Sequence, residues 1–146
     1  MSQATQNKPR QTQQQKRAAH AWKVVESVCQ ESKKKQEEFS RQAKKMPVRI
    51  LTSGLGPSLA FLEAKELAPR LTTALNQWIA KCEWAKRAVE TDAPNARLSE
   101  RIRSGDSTFL RMATAECMSY LEWLVRFTEA EITIGKKADN EPTSKE

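Results

Sequence analysis

Hydrophobic residues in the first third of the chain recur at alternating spacings of four and three, which is the pattern of one helix face. The row consists of Ala18, Trp22, Val25, Cys29, Ser32, Gln36, Phe39, Ala43 and Met46. Its two polar members, Ser32 and Gln36, flank a run of three lysines. The spacing therefore predicts one long helix over 16–46, whose middle packs loosely or projects from the body of the protein.

Two further rows keep this spacing and predict two more long helices. One follows Pro69, because proline suits a first helical turn, and the other follows Asp106 or Ser107, either of which can cap a helix start. We predict these helices over 69–91 and 107–133. The rows are Leu71, Leu75, Trp78, Cys82, Ala85 and Val89, then Leu110, Ala113, Cys117, Tyr120, Leu124 and Phe127.

Proline and glycine divide the rest of the chain into short helices. Pro47 lacks an amide hydrogen and clashes with the preceding turn, so a short helix is expected to begin there. Gly54 and Gly56 can close it, and further short helices are expected over 59–66 and 98–103. No segment alternates apolar and polar residues long enough to predict a strand. The expected fold is all-α, a single bundle of about six helices, three long and three short.

The two ends of the chain differ from the middle in composition. The first fifteen residues are rich in glutamine and nearly free of apolar side chains, and the last twelve are polar. We predict a disordered polar leader over 1–15, one helical domain over 16–134 and a polar tail over 135–146. A domain of this size can bury a sufficient core without disulfides or a metal.

Three cysteines lie far apart, each on the apolar row of a different predicted helix: Cys29, Cys82 and Cys117. Their odd number and wide spacing, with the single His20 near none of them, predict buried thiols, no metal site and no cofactor. Cysteine usage of this kind fits a reducing compartment. We recognise no secretory signal, and no apolar run approaches the roughly 18 residues that span a bilayer, so the predicted location is the cytoplasm.

Positive charge is concentrated in the first 50 residues. They contain twelve Lys or Arg against four Glu, whereas residues 51–146 contain thirteen cations against fourteen carboxylates. This asymmetry favours a polyanionic partner, most simply nucleic acid, because neutralising phosphates gives affinity that does not depend on sequence. A basic surface that serves only solubility is the alternative.

Five cations fall in a narrow row opposite the apolar face when 16–46 is drawn as one helix. They are Lys16, Lys23, Lys34, Arg41 and Lys45. Flexible cations in a row can follow the phosphates of an RNA strand without reading its bases. Alternatively, Glu37 and Glu38 lie at helical spacing to pair with Arg41 and Lys34, as on an ordinary exposed face.

A second cationic group, Lys44, Lys45 and Arg49, surrounds Pro47. Helix-end carbonyls would attract these cations, but the amides of a new helix start would also suit phosphate. Weaker patches contain Lys81, Lys86 and Arg87, and Arg97, Arg101 and Arg103. The predicted RNA-binding residues are Lys34, Arg41, Lys44, Lys45, Arg49 and Lys81.

The segment over 44–65, KKMPVRILTSGLGPSLAFLEAK, joins two short apolar stretches through glycines behind the cation-rich helix. Its Met46-Pro47, Ile50, Ser53-Gly54-Leu55-Gly56, Ala60-Phe61-Leu62 and Lys65 resemble the core signature of the small helical subunit of type III-B CRISPR (Cmr) complexes. The flanking helices match that family in pattern, length and polarity, whereas the leader and tail have no counterpart. The resemblance implies an all-helical, non-catalytic protein that stacks in copies beside the backbone subunits and helps hold target RNA against the guide.

The last predicted helix is acidic, since Glu116, Glu122, Glu129 and Glu131 outnumber its two arginines. Opposite charges on one molecule favour a head-to-tail contact between copies. Trp84 and Trp123 lie beside their apolar rows and can stack on a base or fill a pocket of a neighbouring subunit, of which we favour the second. The predicted subunit-interface residues are Trp84, Glu122, Trp123 and Glu129.

Catalysis finds no support in the sequence. Gly54-Leu55-Gly56 lacks the lysine and hydroxyl of a phosphate-binding loop, and His20 has no carboxylate obviously fixed to it. This agrees with what the resemblance implies, a non-catalytic small subunit of an RNA-silencing ribonucleoprotein in antiviral defence, with guide RNA, target RNA and the other effector subunits as partners. The main rival is a helical protein-interaction module that docks an acidic protein and never touches nucleic acid.

Overall fold

The structure is a computed structural model that describes residues 9–88 and 97–132. Within these ranges the chain forms seven α-helices and no strand. They are α1 (Gln13–Val28), α2 (Lys33–Ser53), α3 (Leu55–Ala64), α4 (Pro69–Lys81), α5 (Glu83–Ala88), α6 (Leu98–Ser104) and α7 (Ser107–Glu131). The all-α class predicted from the sequence is confirmed. None of these helices is both long and apolar enough to cross a membrane.

Helix α1 begins inside the segment predicted as a leader. Thr12 forms a capping box, because its hydroxyl accepts the amide of Gln15 at 3.1 Å while Gln15 Oε1 accepts the amide of Thr12 at 2.8 Å. The spacing Thr-x-x-Gln is a recognisable helix-start signal that the apolar row alone does not contain. The helix therefore begins three residues before the predicted position, and residues 1–8 and 133–146 lie outside the described residues.

The single helix predicted over 16–46 is wrong, because the chain leaves the helical conformation over residues 29–32. Ser32 caps the new helix by accepting the amide of Lys35 at 3.3 Å. Gln36 Nε2 donates to the carbonyls of Cys29 and Glu31, at 3.2 and 2.9 Å, at the end of α1. The two polar interruptions of the apolar row thus end one helix and begin the next.

The helix start predicted at Pro47 is also wrong, since α2 continues through this residue to Ser53. Proline there removes one hydrogen bond to the preceding turn. The flanking Met46 and Ile50 are buried in the core, and burial of that face offsets the loss. The helix ends instead at Gly54, whose φ of 96° lies where only glycine is unstrained.

The turn between α3 and α4 is held by a side chain of α2. Glu66 and Ala68 both have positive φ angles, 54° and 43°, which are costly for residues with a Cβ. Glu38 Oε2 accepts the amide of Ala68 at 2.7 Å. This carboxylate therefore stabilises an otherwise strained start to α4.

The helix predicted over 69–91 is interrupted at Cys82, which has an extended backbone conformation with ψ 131°. Its carbonyl accepts the amides of Ala85 and Lys86 and so begins α5. The change of direction buries Ala85 and places Trp84 against Phe109 of α7, with ring centroids 5.7 Å apart. Residues 89–96 lie outside the described residues.

Helix α7 forms the centre of the bundle, and α1 and α2 pack along it. Its Ala113, Cys117, Leu121 and Leu124 are fully buried. Asp106 caps this helix by accepting the amide of Phe109 at 2.9 Å, as predicted. Trp22, which the spacing assigns to the core, remains 37% exposed and packs edge to face against Phe127.

Of the three predicted buried thiols, Cys82 and Cys117 are buried and Cys29 is half-buried. Burial, with a further contribution from Glu116, raises the pKa of the Cys82 thiol to about 11. Burial also raises the pKa values of Cys117 and Cys29. Cys82 therefore remains protonated at neutral pH, which does not suit a nucleophile.

Glu116 is only 9% exposed, so its assignment to an acidic surface is wrong. Its carboxylate accepts Arg17 Nε at 2.6 Å and Nη2 at 3.0 Å from α1, and Trp78 Nε1 at 2.8 Å from α4. The hydrogen bond to Glu116 raises the pKa of Arg17. We call these three residues the Glu116 cluster, and it joins α1, α4 and α7.

Replacing Glu116 by alanine should destabilise the fold strongly, because it leaves the half-buried Arg17 charge and the buried Trp78 indole N–H without their shared acceptor. We expect a loss of about 3–5 kcal/mol in the free energy of unfolding, measured by urea denaturation. The matched control, Glu122→Ala, changes an exposed carboxylate of the same helix and should cost less than about 0.5 kcal/mol. Equal losses in the two variants would contradict a stabilising role for the cluster.

Candidate nucleic-acid interface

Helix α2 presents exposed cations on the side opposite its buried Phe39, Ala43 and Met46. We define the α2 ridge as Lys34, Arg41, Lys44 and Lys45, all exposed. The whole helix carries seven cations against two carboxylates. The ridge is therefore a strongly positive strip on one outer edge of the bundle.

Within the described residues, the ridge cations are not held in close ion pairs with neighbouring carboxylates. The sequence left open that Glu37 and Glu38 pair with Arg41 and Lys34, but Glu38 instead accepts the amide of Ala68. Across the described ranges, no ridge residue makes an ion pair within 4.0 Å; the pair that α2 does form joins Lys35 to Glu31 at 3.7 Å. The ridge charge is thus available to an anionic partner.

Arg49 lies in a different environment from the ridge. It is half-buried, its Nη1 donates to Gln42 Oε1 at 2.9 Å, and its guanidinium carbon lies 4.5 Å from the centre of the Phe61 ring. Because α2 is continuous through Pro47, the predicted helix start that would offer amides to phosphate is absent. Arg49 packs against its own chain and adds charge near the end of the ridge.

The five-cation row predicted for a continuous helix is two separate groups, because the bend over 29–32 separates α1 from α2. Lys23 of α1 lies with Lys81 and Lys86 in the walls of a cavity of about 710 Å³ between α1 and α4. We call this cavity the α1–α4 groove, and no residue of α2 lines it. The structure thus groups the predicted Lys81 with Lys23, not with the ridge, and the Arg87 side chain lies outside what the structure describes.

His20 also lines the α1–α4 groove, which the sequence did not indicate. Its Nδ1 lies 2.7 Å from the Tyr120 hydroxyl, and its ring centroid is 5.4 Å from that of Trp78. Burial lowers the pKa of His20, and the nearby Lys81 and Lys23 lower it further. The histidine therefore favours its neutral form beside several cations.

The third predicted patch is largely engaged within the chain. Arg97 pairs with Glu100 at 3.3 Å and with Glu63 at 3.7 Å. Arg101 donates to the carbonyl of Ala85 at 2.9 Å and lies over the Phe109 ring. These contacts explain both arginines as structural residues, whereas the patch's third member, Arg103, is exposed.

The predicted subunit-interface residues divide into two kinds. Glu122 and Glu129 are exposed on α7. Trp84 and Trp123 are half-buried against Phe109 and Phe127 of their own chain, and Trp123 Nε1 also donates to Gln14 Oε1 at 3.0 Å. The two carboxylates are thus free to meet a partner, while the tryptophans present only part of their surface. Among the described residues no group of three His, Cys, Asp or Glu is arranged to hold a metal ion.

The model of the family described as CRISPR-associated protein (Cas_Cmr5) matches residues 13–131, which is most of the chain. The chain belongs to the Cas_Cmr5 family. This membership confirms the resemblance of the segment over 44–65 and makes the chain a small subunit of a type III-B CRISPR complex.

The fold is similar to the X-ray crystal structure of a CRISPR-associated Cmr5 family protein from Thermus thermophilus. The TM-score is 0.68 at 24% sequence identity, over 84% of this chain and 100% of that chain. At this identity the likeness concerns the fold. It shows that the Cas_Cmr5 bundle accommodates extensive sequence change.

Stability should fall in mild acid because of His20. Its pKa is lowered in the folded protein, so the unfolded chain binds the proton more readily. The contribution of neutral His20 to the free energy of unfolding is fully present above the pKa of histidine in the unfolded chain, about 6.5. It is lost as the pH falls toward the lower pKa that His20 has in the folded protein. Urea denaturation at neutral pH and in mild acid measures this loss, which should be smaller in the His20→Gln variant. The same loss in both proteins would contradict the assignment to His20.

Proposed function

We propose that this Cas_Cmr5 protein is a non-catalytic subunit that holds target RNA by contacts from the α2 ridge to the phosphate backbone, in antiviral defence. The observation that carries the proposal is the row of exposed ridge cations, none of which makes an ion pair within 4.0 Å in the described part of the chain. Family membership supplies the setting, a type III-B CRISPR complex. The other effector subunits, guide RNA and target RNA are the partners we propose, in the cytoplasm.

The chemistry of the ridge suits backbone contact and not base recognition. Lys34 and Arg41 are seven residues apart, about 10 Å along the helix axis, and Lys44 and Lys45 continue the strip by one turn. The aromatic residue of α2, Phe39, is buried, so this helix offers no ring for base stacking. Phosphate contacts of this kind position a strand without selecting its sequence.

The non-catalytic part of the proposal is supported by the state of the reactive side chains. His20 is hydrogen-bonded to Tyr120 and not to a carboxylate. The buried Cys82 and Cys117 have raised pKa values, which disfavours a thiolate nucleophile. These groups stabilise the bundle, which fits a subunit that positions RNA and cuts nothing.

Removing ridge charge should weaken RNA binding and reduce its salt dependence. For single strands the logarithm of affinity falls with the logarithm of salt by about 0.7 per neutralised phosphate. The triple variant Arg41→Gln, Lys44→Gln and Lys45→Gln should therefore flatten the slope by about two, measured by fluorescence anisotropy with a labelled single-stranded RNA.

The matched control replaces three exposed arginines elsewhere, Arg103, Arg111 and Arg126, by glutamine. It removes the same net charge but leaves the ridge intact, so its slope should remain close to that of the unchanged protein. An unchanged slope in the ridge variant, or equal flattening in both variants, would count against the ridge as the RNA contact.

We further propose that copies stack head to tail through the acidic face of α7. Glu122 lies at the edge of a shallow cavity of about 360 Å³ that Pro47, Met118, Leu121 and Val125 help to line. An apolar floor with a charged rim is the usual anatomy of a protein interface. The exposed carboxylates can then meet a basic surface of the next copy, which makes a heterologous, repeating contact.

Reversing the charge of this face should prevent stacking. The variant Glu122→Lys and Glu129→Lys is expected to abolish the multi-copy complex, measured as the mass of the intact assembly. The control reverses two exposed carboxylates elsewhere, Glu26 and Glu66, for the same change in net charge. Assembly of the α7 variant at full copy number would exclude this surface.

The rival function, a protein-interaction module without RNA, is favoured by one observation. Val48 and Leu51, beyond the end of the ridge, are 65% and 74% exposed. Exposed aliphatic residues beside cations suit a protein surface with an apolar patch and an acidic rim. The salt-slope measurement separates the two functions, because the rival predicts no change on loss of the ridge.

A further inference from the structure

The α1–α4 groove combines several cations with an absence of carboxylates in its lining. Its charged residues are Lys23, Arg70, Lys81 and Lys86. Low-dielectric walls of one charge sign concentrate the field within a cleft. The lining of the groove therefore favours an anionic ligand.

Two of these cations have no counter-ion within the described residues. Arg70 pairs with Glu31 and donates to Ser27, and Lys86 pairs with Glu83 at 3.5 Å. Lys23 and Lys81 are exposed and make no ion pair. His20 lies in the same groove; burial lowers its pKa most, and Lys81 and Lys23 lower it further.

The groove continues along α1 toward its first turn. A second cavity of about 400 Å³ shares His20, Lys23 and Lys81 with the first and extends to Lys16. The one carboxylate in its lining, Glu83, is the partner of Lys86. From Lys16 to Ser27 the wall of α1 is about 16 Å long, which accommodates several successive phosphates of an extended strand.

The helices that form the walls of the groove are held together by hydrogen bonds within the bundle. The Glu116 cluster joins α1 to α4 directly behind them, and the hydrogen bond between His20 and Tyr120 adds a second tie to α7. The side chains of Ser27, Thr73 and Gln77 add neutral hydrogen-bonding groups to the cationic lining. A preformed site loses less conformational entropy on binding than one that must be ordered.

We propose that the α1–α4 groove is a second binding site for single-stranded RNA, in which Lys23 and Lys81 hold the phosphate backbone and Lys16 and Lys86 extend the contact at either end. The site is separate from the α2 ridge. It rests on the proposed function in that the ligand is RNA. The groove holds a stretch of strand that the ridge does not contact.

The single histidine of the chain makes the groove observable by itself. In NMR spectra of protein labelled at histidine, a short oligouridylate should shift the His20 ring resonance saturably. Bound phosphates offset the lysines, so the pKa of His20 should rise on binding. At physiological salt the screening length is about 8 Å, so RNA held elsewhere on the protein moves this resonance little.

Two double variants test whether RNA in the groove causes the shift of the His20 resonance. Lys23→Gln with Lys81→Gln should abolish the oligouridylate-induced shift and flatten the salt slope of binding by about 1.4. Arg41→Gln with Lys44→Gln alters the ridge and should retain the shift. Both pairs change exposed side chains, and circular dichroism confirms that each variant is folded.

Three results would overturn the proposal. If oligouridylate binds without shifting the His20 resonance, and the variant Lys23→Gln with Lys81→Gln binds it equally well, the groove is excluded. The proposed function, with the ridge as the RNA contact, would then stand. An equal shift with polyglutamate at equal charge assigns the groove to an acidic polypeptide. No binding of oligouridylate to the unchanged protein contradicts the groove and the proposed function together.

Discussion

The position of α1 depends on one buried carboxylate. Glu116 accepts hydrogen bonds from Arg17 of α1 and from Trp78 of α4 while it is part of the central helix α7. A charge so far removed from water is tolerable only when it is fully paired. The cluster therefore joins three helices beside the α1–α4 groove, where it adds to the apolar packing of Ala21, Val25 and Val28.

The spacing of apolar residues predicted the fold class, but it could not predict which residues of other helices contact each helix face. The all-α class, the helix start at Pro69 and the Asp106 cap were all predictable, because each rests on the local chemistry of a few adjacent residues. Glu116 was assigned to the surface since a carboxylate on a helix is usually solvated. Only the folded chain brings Arg17, ninety-nine residues away, within hydrogen-bonding distance of it.

The candidate site was predicted in part for the same reason. Lys34, Arg41, Lys44 and Lys45 are exposed as expected, because a position opposite an apolar row follows from helix geometry. The prediction of one continuous cationic row was wrong, because the apolar spacing places Ser32 and Gln36 within a single helix. In the structure Ser32 caps α2, and Gln36 donates hydrogen bonds to the carbonyls that follow α1. The contacts of Arg49 with Gln42 and Phe61 were not predictable, because they depend on the unforeseen continuity of α2 through Pro47.

On the polar face of α2, it is the carboxylate of Glu38, and not the cations of the ridge, that ties this helix to the rest of the bundle. One of its oxygens supports the left-handed backbone at Ala68, and among the described residues it makes no close ion pair with the lysines and arginines beside it. The electrostatics of this helix can accordingly be redesigned by exchanging its basic side chains, whereas Glu38, one of its two carboxylates, has a structural role. Sequence drift in such a protein would be expected to move positive residues along the outer edge more freely than it replaces Glu38.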